Sequence, residues 1–221
     1  MLIIVPIIAI ILVFGLSYLF SDWIKKHHLY LYLGAILLGI LAIILKDKTF
    51  TQPFNKGFLG LAFFYVVMII GVLNKDSKLF KRLFKVRPEL SITGFILLTP
   101  HAIFYLLDKF LGTYSENINI VLGLLTYLIM VPLFITSFKV IENKKQFFKW
   151  KKLQRFAYII YLLIFIHLIV VVDSTSPNFY VYLIMFIPYF IYKPIHFFLH
   201  EKPAYQKMKS KENNQWQNEN W

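Results

Sequence analysis

Long runs of uncharged, mostly apolar residues constrain the fold of this chain more than any other feature. A helix needs about 20 apolar residues, within a range of about 17–25, to cross the hydrocarbon core of a bilayer. Six stretches reach that range without a charged side chain: 2–20, 29–45, 57–73, 90–107, 118–138 and 156–172. A seventh uncharged run lies between Asp173 and Lys193 and contains Pro188. The sequence therefore predicts an all-α integral membrane protein, a bundle of about seven transmembrane helices.

The composition supports this prediction and excludes several classes of protein. Hydrophobic residues make up 58% of the chain and charged residues 16%, whereas a soluble domain has about 45–50% apolar and about 25% charged residues. A soluble enzyme, a disordered chain and a fibrous repeat are therefore excluded. The chain has no cysteine, which excludes disulfides, thiolate metal sites, iron–sulfur clusters and a cysteine nucleophile.

The basic residues are distributed unevenly between the loops. With seven spans and the N-terminus outside, 20 of the 24 Lys and Arg residues lie on the cytoplasmic side. This bias predicts an outside N-terminus and a cytoplasmic C-terminus in a multi-pass protein of the cell membrane. The net charge of +13 then serves topology and the anionic headgroups of the bilayer, not nucleic acid. We expect two N-terminal helices in 1–56, a core in 57–192 and a polar cytoplasmic tail in 193–221.

Two histidines lie inside the predicted spans, where no Asp, Glu, Lys or Arg is found. His101 stands 7 residues before Asp108, and His167 stands 6 residues before Asp173. The two helices run in the same direction, so both histidines lie roughly 9–10 Å below the outer boundary at 1.5 Å rise per residue. Two imidazoles at equal depth on neighbouring helices can bind the two faces of a heme iron.

The alternative for each histidine is a hydrogen bond to a polar group on a neighbouring helix. A bare zinc or copper ion is disfavoured, because no third or fourth ligand is found at the same depth.

Two segments resemble a known family. The stretch from Arg87 through S-I-T-G-F-I-L-L-T-P to His101 resembles the arginine-led helix of the ferric-reductase-like transmembrane domain, where the arginine stands fourteen residues before a heme-ligating histidine. The segment W-K-K-L-Q-R-F-A-Y at 150–158, followed by I-F-I-H ending at His167, is similar to the family's W-K-x-L-H-R-x-x-Y segment and its second histidine. The resemblance covers about residues 57–192. It is closest to the MsrQ/YedZ-type heme-binding membrane subunits of the bacterial methionine sulfoxide reductase system.

The resemblance implies a heme b whose iron is bound by His101 and His167. Arg87 and Arg155 would hold heme propionates or a quinone; as positively charged residues near the cytoplasmic face, they could equally be topological anchors. Gln154 stands where the family has its inner histidine, and Gln is a poor iron ligand compared with imidazole. We therefore expect one heme, in the outer half of the membrane.

Four other histidines lie near the cytoplasmic ends of the predicted spans. His27 and His28 follow the first span, and His196 and His200 are spaced i,i+4 after the seventh. That spacing places the last two on one helical face, where a metal or inner-heme role competes with an amphipathic segment lying on the membrane surface.

These observations favour a heme protein that carries electrons into or across the membrane. We expect quinol or a cytoplasmic flavoprotein as the donor, and an extracytoplasmic partner reductase or ferric iron as the acceptor. The chain would be an oxidoreductase subunit without its own flavin domain, because the 21 residues after 200 are too few for one. The alternative is a non-redox membrane protein, such as a small transporter or assembly factor, that uses the same histidines as polar helix contacts.

Overall fold

The computed structural model of the chain describes residues 4–46, 48–112, 117–138, 153–197 and 199. The described ranges are helical, without strands. The helices are α1 (Ile4–Leu19), α2 (Ser21–Lys26), α3 (His28–Ile44), α4 (Gln52–Asn55), α5 (Phe58–Ile70), α6 (Lys78–Lys85), α7 (Arg87–Phe110), α8 (Asn117–Ile135), α9 (Ala157–Val171) and α10 (Pro177–His196), with a 3-10 turn at Thr49–Thr51 before α4. The prediction of an all-helical protein is confirmed.

Each predicted span coincides with one of the longer helices: α1, α3, α5, α7, α8, α9 and α10. By length and composition, Arg87–Phe110 and Ile118–Ile135 can each cross a bilayer. The bent pair Thr49–Asn55 and Phe58–Ile70 adds a third crossing if the two pieces form one span. The apolar helices Val5–Leu19, His28–Ile44 and Ala157–Val171 are shorter. Seven crossings and the orientation of the termini stay predictions.

The chain divides into two compact units, Met1–Tyr182 and Leu183–Trp221, with the boundary inside α10. In the first unit, buried side chains form two apolar clusters. One cluster consists of Ile24, Val66, Val67, Ile70, Leu83, Val86 and Leu90. The other consists of Phe64, Phe95, Met130, Leu133 and Ile160 and joins α5, α7, α8 and α9.

Helix α7 is held closely between α3 and α5. A Cβ atom added at Gly60 of α5 would lie 2.7 Å from the Cβ of Leu98, so this crossing requires glycine. On the α3 side, the fully buried Pro100 packs against Gly39, whose added Cβ would lie 3.5 Å from the proline Cγ. Small residues at helix crossings let backbones approach in this way. His101, the next residue along α7, is thereby fixed in depth and direction.

Ion pairs tie the N-terminal helices to both ends of α7. Lys25 of α2 lies 2.9 Å from the carboxylate of Glu89, and Lys46, just after α3, lies 2.7 Å from that of Asp108. The run 90–107 between these two carboxylates carries no charge and is about 27 Å long at 1.5 Å per residue. A bilayer core is about 30 Å thick. The two pairs therefore bracket a segment of membrane-crossing length.

A further ion pair, which is exposed, lies near the start of α7, between Lys85 of α6 and Asp22 of α2. The ammonium group of Lys85 donates to the Asp22 carboxylate and lowers the pKa of that carboxyl below its ordinary value. Exposed pairs of this kind stabilise a fold little, so this contact adds little to the stability of the bundle.

Candidate functional site

The two intramembrane histidines lie together. The ring centroids of His101 on α7 and His167 on α9 are 6.3 Å apart, with the ring planes at 78°, and both rings line one pocket, called here the histidine pocket. A metal–imidazole bond is about 2 Å long, and with ring radii of roughly 1 Å two such ligands place their centroids about 6 Å apart. The observed separation therefore matches two imidazoles that share one metal atom.

The His101 ring is oriented by a backbone carbonyl. Its Nδ1 lies 2.8 Å from the carbonyl oxygen of Asn55. Because a carbonyl only accepts hydrogen bonds, Nδ1 carries the proton and Nε2 keeps its lone pair. Metal-binding histidines commonly donate their second ring nitrogen to a carbonyl, which fixes the tautomer and the ring direction. His101 is therefore arranged as a ligand through Nε2.

The Asn55 carbonyl reaches His101 because the chain bends between α4 and α5. The two helices meet at 45°, and Gly57 at the bend has a φ of +71°, a conformation that glycine adopts most readily. A Cβ at Gly57 would lie 3.2 Å from Cγ of the His101 ring. The Asn55 side chain donates to the carbonyl of Lys46 at 2.7 Å, which ties the bend to the end of α3. Both the backbone angle and the lack of a side chain at Gly57 are therefore needed here.

His167 lies against the backbone of α8. A Cβ at Gly123 would be 3.3 Å from Cε1 of the ring, so glycine makes the space that the imidazole occupies. The backbone of Asn119 lies beside the ring, yet Nδ1 of His167 is buried without a hydrogen bond of ordinary geometry to any described residue. A buried polar nitrogen in that state is unfavourable.

The rest of the histidine pocket is mostly apolar, with leucine side chains from α5, α7, α8 and α9. Its polar lining includes Tyr105, Asn119, Thr126 and Tyr127, and Lys56 carries the one positive charge among the described residues that line it. Such a lining suits a flat, largely apolar group with few anionic substituents. Within the described ranges, no three His, Cys, Asp or Glu side chains form a metal-binding group. A heme supplies the other four ligands itself, so the residues present fit a heme.

A second pocket lies on the other side of Phe64 and Met130, whose side chains line both pockets. It is called here the arginine pocket, because Arg87 and Gln154 line it. The Gln154 side chain donates through Nε2 to Oγ1 of Thr136 at 3.1 Å. The described residues lining this pocket include no histidine.

The remaining candidates from the sequence are placed elsewhere. Arg155 is exposed in the turn before α9 and lines neither pocket. His28 lies 3.1 Å through Nδ1 from the carbonyl of Lys25, and neither His28 nor His27 lines a pocket. His196 ends α10 with its ring 5.6 Å from that of Tyr192. His200 and residues 150–152 of the second motif lie outside the described residues.

Comparison with known proteins gives one family match. Residues 56–165, about half of the chain, match the profile of a family described as the ferric reductase like transmembrane component. A protein of Treponema pallidum (strain Nichols), described as an uncharacterized protein, is 28% identical over 176 residues, which cover 72% of this chain and 49% of that protein. The chain thus spans about half the length of this curated relative. No solved structure matches the chain.

Proposed function

Because the chain belongs, through residues 56–165, to the ferric-reductase-like transmembrane family, we propose that it is a heme b electron-transfer protein of the membrane. The observation that carries this proposal is the 6.3 Å separation of the His101 and His167 rings across one apolar pocket. The heme would supply one-electron redox chemistry, and the protein would supply its position and surroundings.

Each part of the histidine pocket has a role in this proposal. His101 and His167 would hold the iron, and the hydrogen bond from His101 Nδ1 to the Asn55 carbonyl leaves Nε2 available for that bond. Gly123 leaves room for the His167 ring. Lys56 is the charged side chain that can pair with a propionate at the edge of the pocket. The leucine lining excludes water from the iron, which is one of the levers that set the potential of a heme.

Electrons would come from quinol or a cytoplasmic flavoprotein and leave to an extracytoplasmic reductase or to ferric iron. We also propose that the chain is similar to the heme-binding membrane subunit of the methionine sulfoxide reductase system.

The direction of electron transfer, from the cytoplasmic side to the outer side, depends on the topology. We propose seven crossings of the cell membrane, with the N-terminus outside and the tail in the cytoplasm. Reporter fusions placed after Asp173 and at the C-terminus test that topology. A cytoplasmic signal after Asp173 would contradict it.

The function itself is tested by the colour of the purified protein. Expressed with an adequate heme supply and purified in mild detergent, the wild type should carry a Soret band that shifts when dithionite is added. A protein that stays colourless when heme is supplied during expression and again after purification would overturn the proposal. The two histidines would then act as polar contacts between helices, as in the non-redox alternative.

A further inference from the structure

The arginine pocket is built differently from a heme site. Its volume is about 240 Å³. Of the described residues that line it, Arg87 alone is charged, and the polar groups beside it are amide and hydroxyl side chains. The described residues that line it include no imidazole or thiolate that could bind iron, and no carboxylate that would neutralise the arginine. The pocket therefore presents hydrogen-bond donors to a ligand that accepts.

Two side chains of this pocket, Arg87 and Gln154, have N–H groups available to a ligand. The Nε of Arg87 is buried without a partner among the described residues, while the guanidinium also hydrogen-bonds the hydroxyl of Tyr161. The Gln154 amide nitrogen donates one N–H to the Thr136 hydroxyl, and an amide nitrogen has two N–H groups. A buried donor without a partner is unfavourable. These two groups, on α7 and just before α9, can each donate to one acceptor.

Aromatic side chains form the wall beside these donors. The rings of Phe95 and Phe134 stack with centroids 4.3 Å apart at 21°, and both line the pocket. Phe84 of the basic helix α6 also lines it and is half exposed. Phe95 also stacks with Tyr127, with centroids 4.9 Å apart at 19°. The wall is therefore an aromatic, apolar surface beside which a flat apolar ring can pack.

We propose that the arginine pocket binds the head group of a membrane quinone, whose carbonyl oxygens accept hydrogen bonds from Arg87 and Gln154. The proposal rests on the proposed function and narrows its donor from quinol or flavoprotein to quinol. A quinone ring is flat, uncharged and carries carbonyl acceptors, which matches one cation and neutral donors beside an aromatic wall. Phe64 and Met130 line both pockets, so a bound head group would lie beside the proposed heme site.

Quinone binding can be measured directly on the full chain. Purified protein in lipid nanodiscs is titrated with decylubiquinone and with menadione by calorimetry, and an azido-quinone is photocrosslinked and mapped by peptide mass spectrometry. We expect one site for at least one of the two quinones, with the label on peptides around Arg87 or Gln154. Loss of one hydrogen bond in Gln154→Leu should weaken binding roughly tenfold, and Arg87→Gln should weaken it further.

A matched control is Thr93→Val. Thr93 is buried on α7 two residues from Ser91 of the pocket, its hydroxyl bonds the Glu89 carbonyl at 2.8 Å, and it does not line the pocket. The affinity of the Thr93→Val protein for the quinones should equal that of the wild type. If Arg87→Gln does not fold, the affinity of Gln154→Leu alone tests the proposal. Unchanged affinity in Gln154→Leu, or a label found only around the histidine pocket, would overturn the proposal.

Heme content measured in the same samples separates the two proposals. Heme-free protein that binds quinone at Arg87 and Gln154 would support this inference and overturn the proposed function. Protein with one heme that binds neither quinone would overturn this inference and leave the proposed function standing. Two hemes per chain without quinone binding would assign the arginine pocket to a second porphyrin and overturn the inference.

Discussion

The histidine pocket and the arginine pocket share Phe64 and Met130 but differ in the chemistry of their polar groups. The first brings two imidazoles to 6.3 Å, and the second offers a guanidinium and an amide. Gln154 stands thirteen residues before His167, and the described residues that line the second pocket include no imidazole. The same helices can thus build a metal site and a hydrogen-bonding site side by side.

The two pockets also differ in how the backbone supports them. In the histidine pocket, a bend at Gly57 and a closely packed Gly123 shape the space around the imidazoles. In the arginine pocket, the hydroxyls of Thr136 and Ser137 bond back to carbonyls of α8, at 2.8 Å to Pro132 and 2.7 Å to Leu133. A ligand site needs supporting groups that hold the ligand side chains in place. In the histidine pocket, the Asn55 carbonyl, Gly57 and Gly123 have this role.

The largest effect is expected on removing an imidazole. His101→Ala or His167→Ala should abolish or strongly reduce heme content, and the low-spin spectrum of two imidazoles should disappear with it. Pyridine hemochrome assays and absorption spectra measure both. His28→Ala, which changes a histidine outside both pockets, should leave them unaltered. A His101→Ala protein with full heme content and an unaltered six-coordinate spectrum would leave the family membership as a matter of fold alone.

A smaller loss is expected when the space beside His167 is filled. In Gly123→Ala the new Cβ would lie 3.3 Å from Cε1 of the ring, so the imidazole must move by a few tenths of an ångström. We expect heme affinity to fall roughly three- to tenfold, because ligand geometry has a tolerance of about 0.5 Å. The measurement is heme transfer to apomyoglobin.

The matched control for Gly123→Ala is Gly34→Ala on α3. No atom lies within 4 Å of its added Cβ, and alanine stabilises a helix interior by about 0.5–1 kcal/mol relative to glycine. Heme transfer from this variant should equal that from the wild type. Equal transfer from Gly123→Ala as well would show that the ring position next to α8 does not limit heme binding.

The position of the two histidines could be predicted because helical rise is constant. Asp108 and Asp173 mark comparable ends of α7 and α9, so counting residues back from each gave equal depth, and the rings are in fact neighbours. The family could be predicted from the Arg87–His101 spacing and the segment before His167, and the match over 56–165 confirms it. The spacing of residues along a helix therefore carries information about this site.

The supporting residues could not be predicted in the same way. Asn55 and Gly57 meet His101 only because the chain bends between α4 and α5, which is a tertiary contact 46 residues apart in sequence. Gly123 reads in sequence as one more glycine in an apolar helix, and its role depends on which face meets α9. Lys56 in the sequence Asn55-Lys56-Gly57 is a turn signal that points to a bend but not to its partner.

Gln154→Ala tests the arginine pocket with a smaller expected effect. Heme content should stay at one per chain, because Gln154 binds no iron in this proposal. Loss of its bond to Thr136 should lower the free energy of unfolding by about 0.5–1.5 kcal/mol, seen as a lower melting temperature in detergent. Two hemes per chain in the wild type would show that the second pocket holds iron after all. His27, His28, His196 and His200 would then be the ligands to test.

The smallest effect is expected at Met130, which separates the two pockets. A thioether can bind heme iron opposite a histidine, and Met130 is 2% exposed and lines the histidine pocket from α8. The His101 and His167 rings already stand at the separation of two imidazoles on one metal atom, so we expect Met130 to act as packing alone. Met130→Leu conserves volume and should be well tolerated, with heme content, low-spin spectrum and reduction potential unchanged. A lower potential or a high-spin spectrum in Met130→Leu would identify the thioether as an iron ligand and remove one of the two histidines from that role.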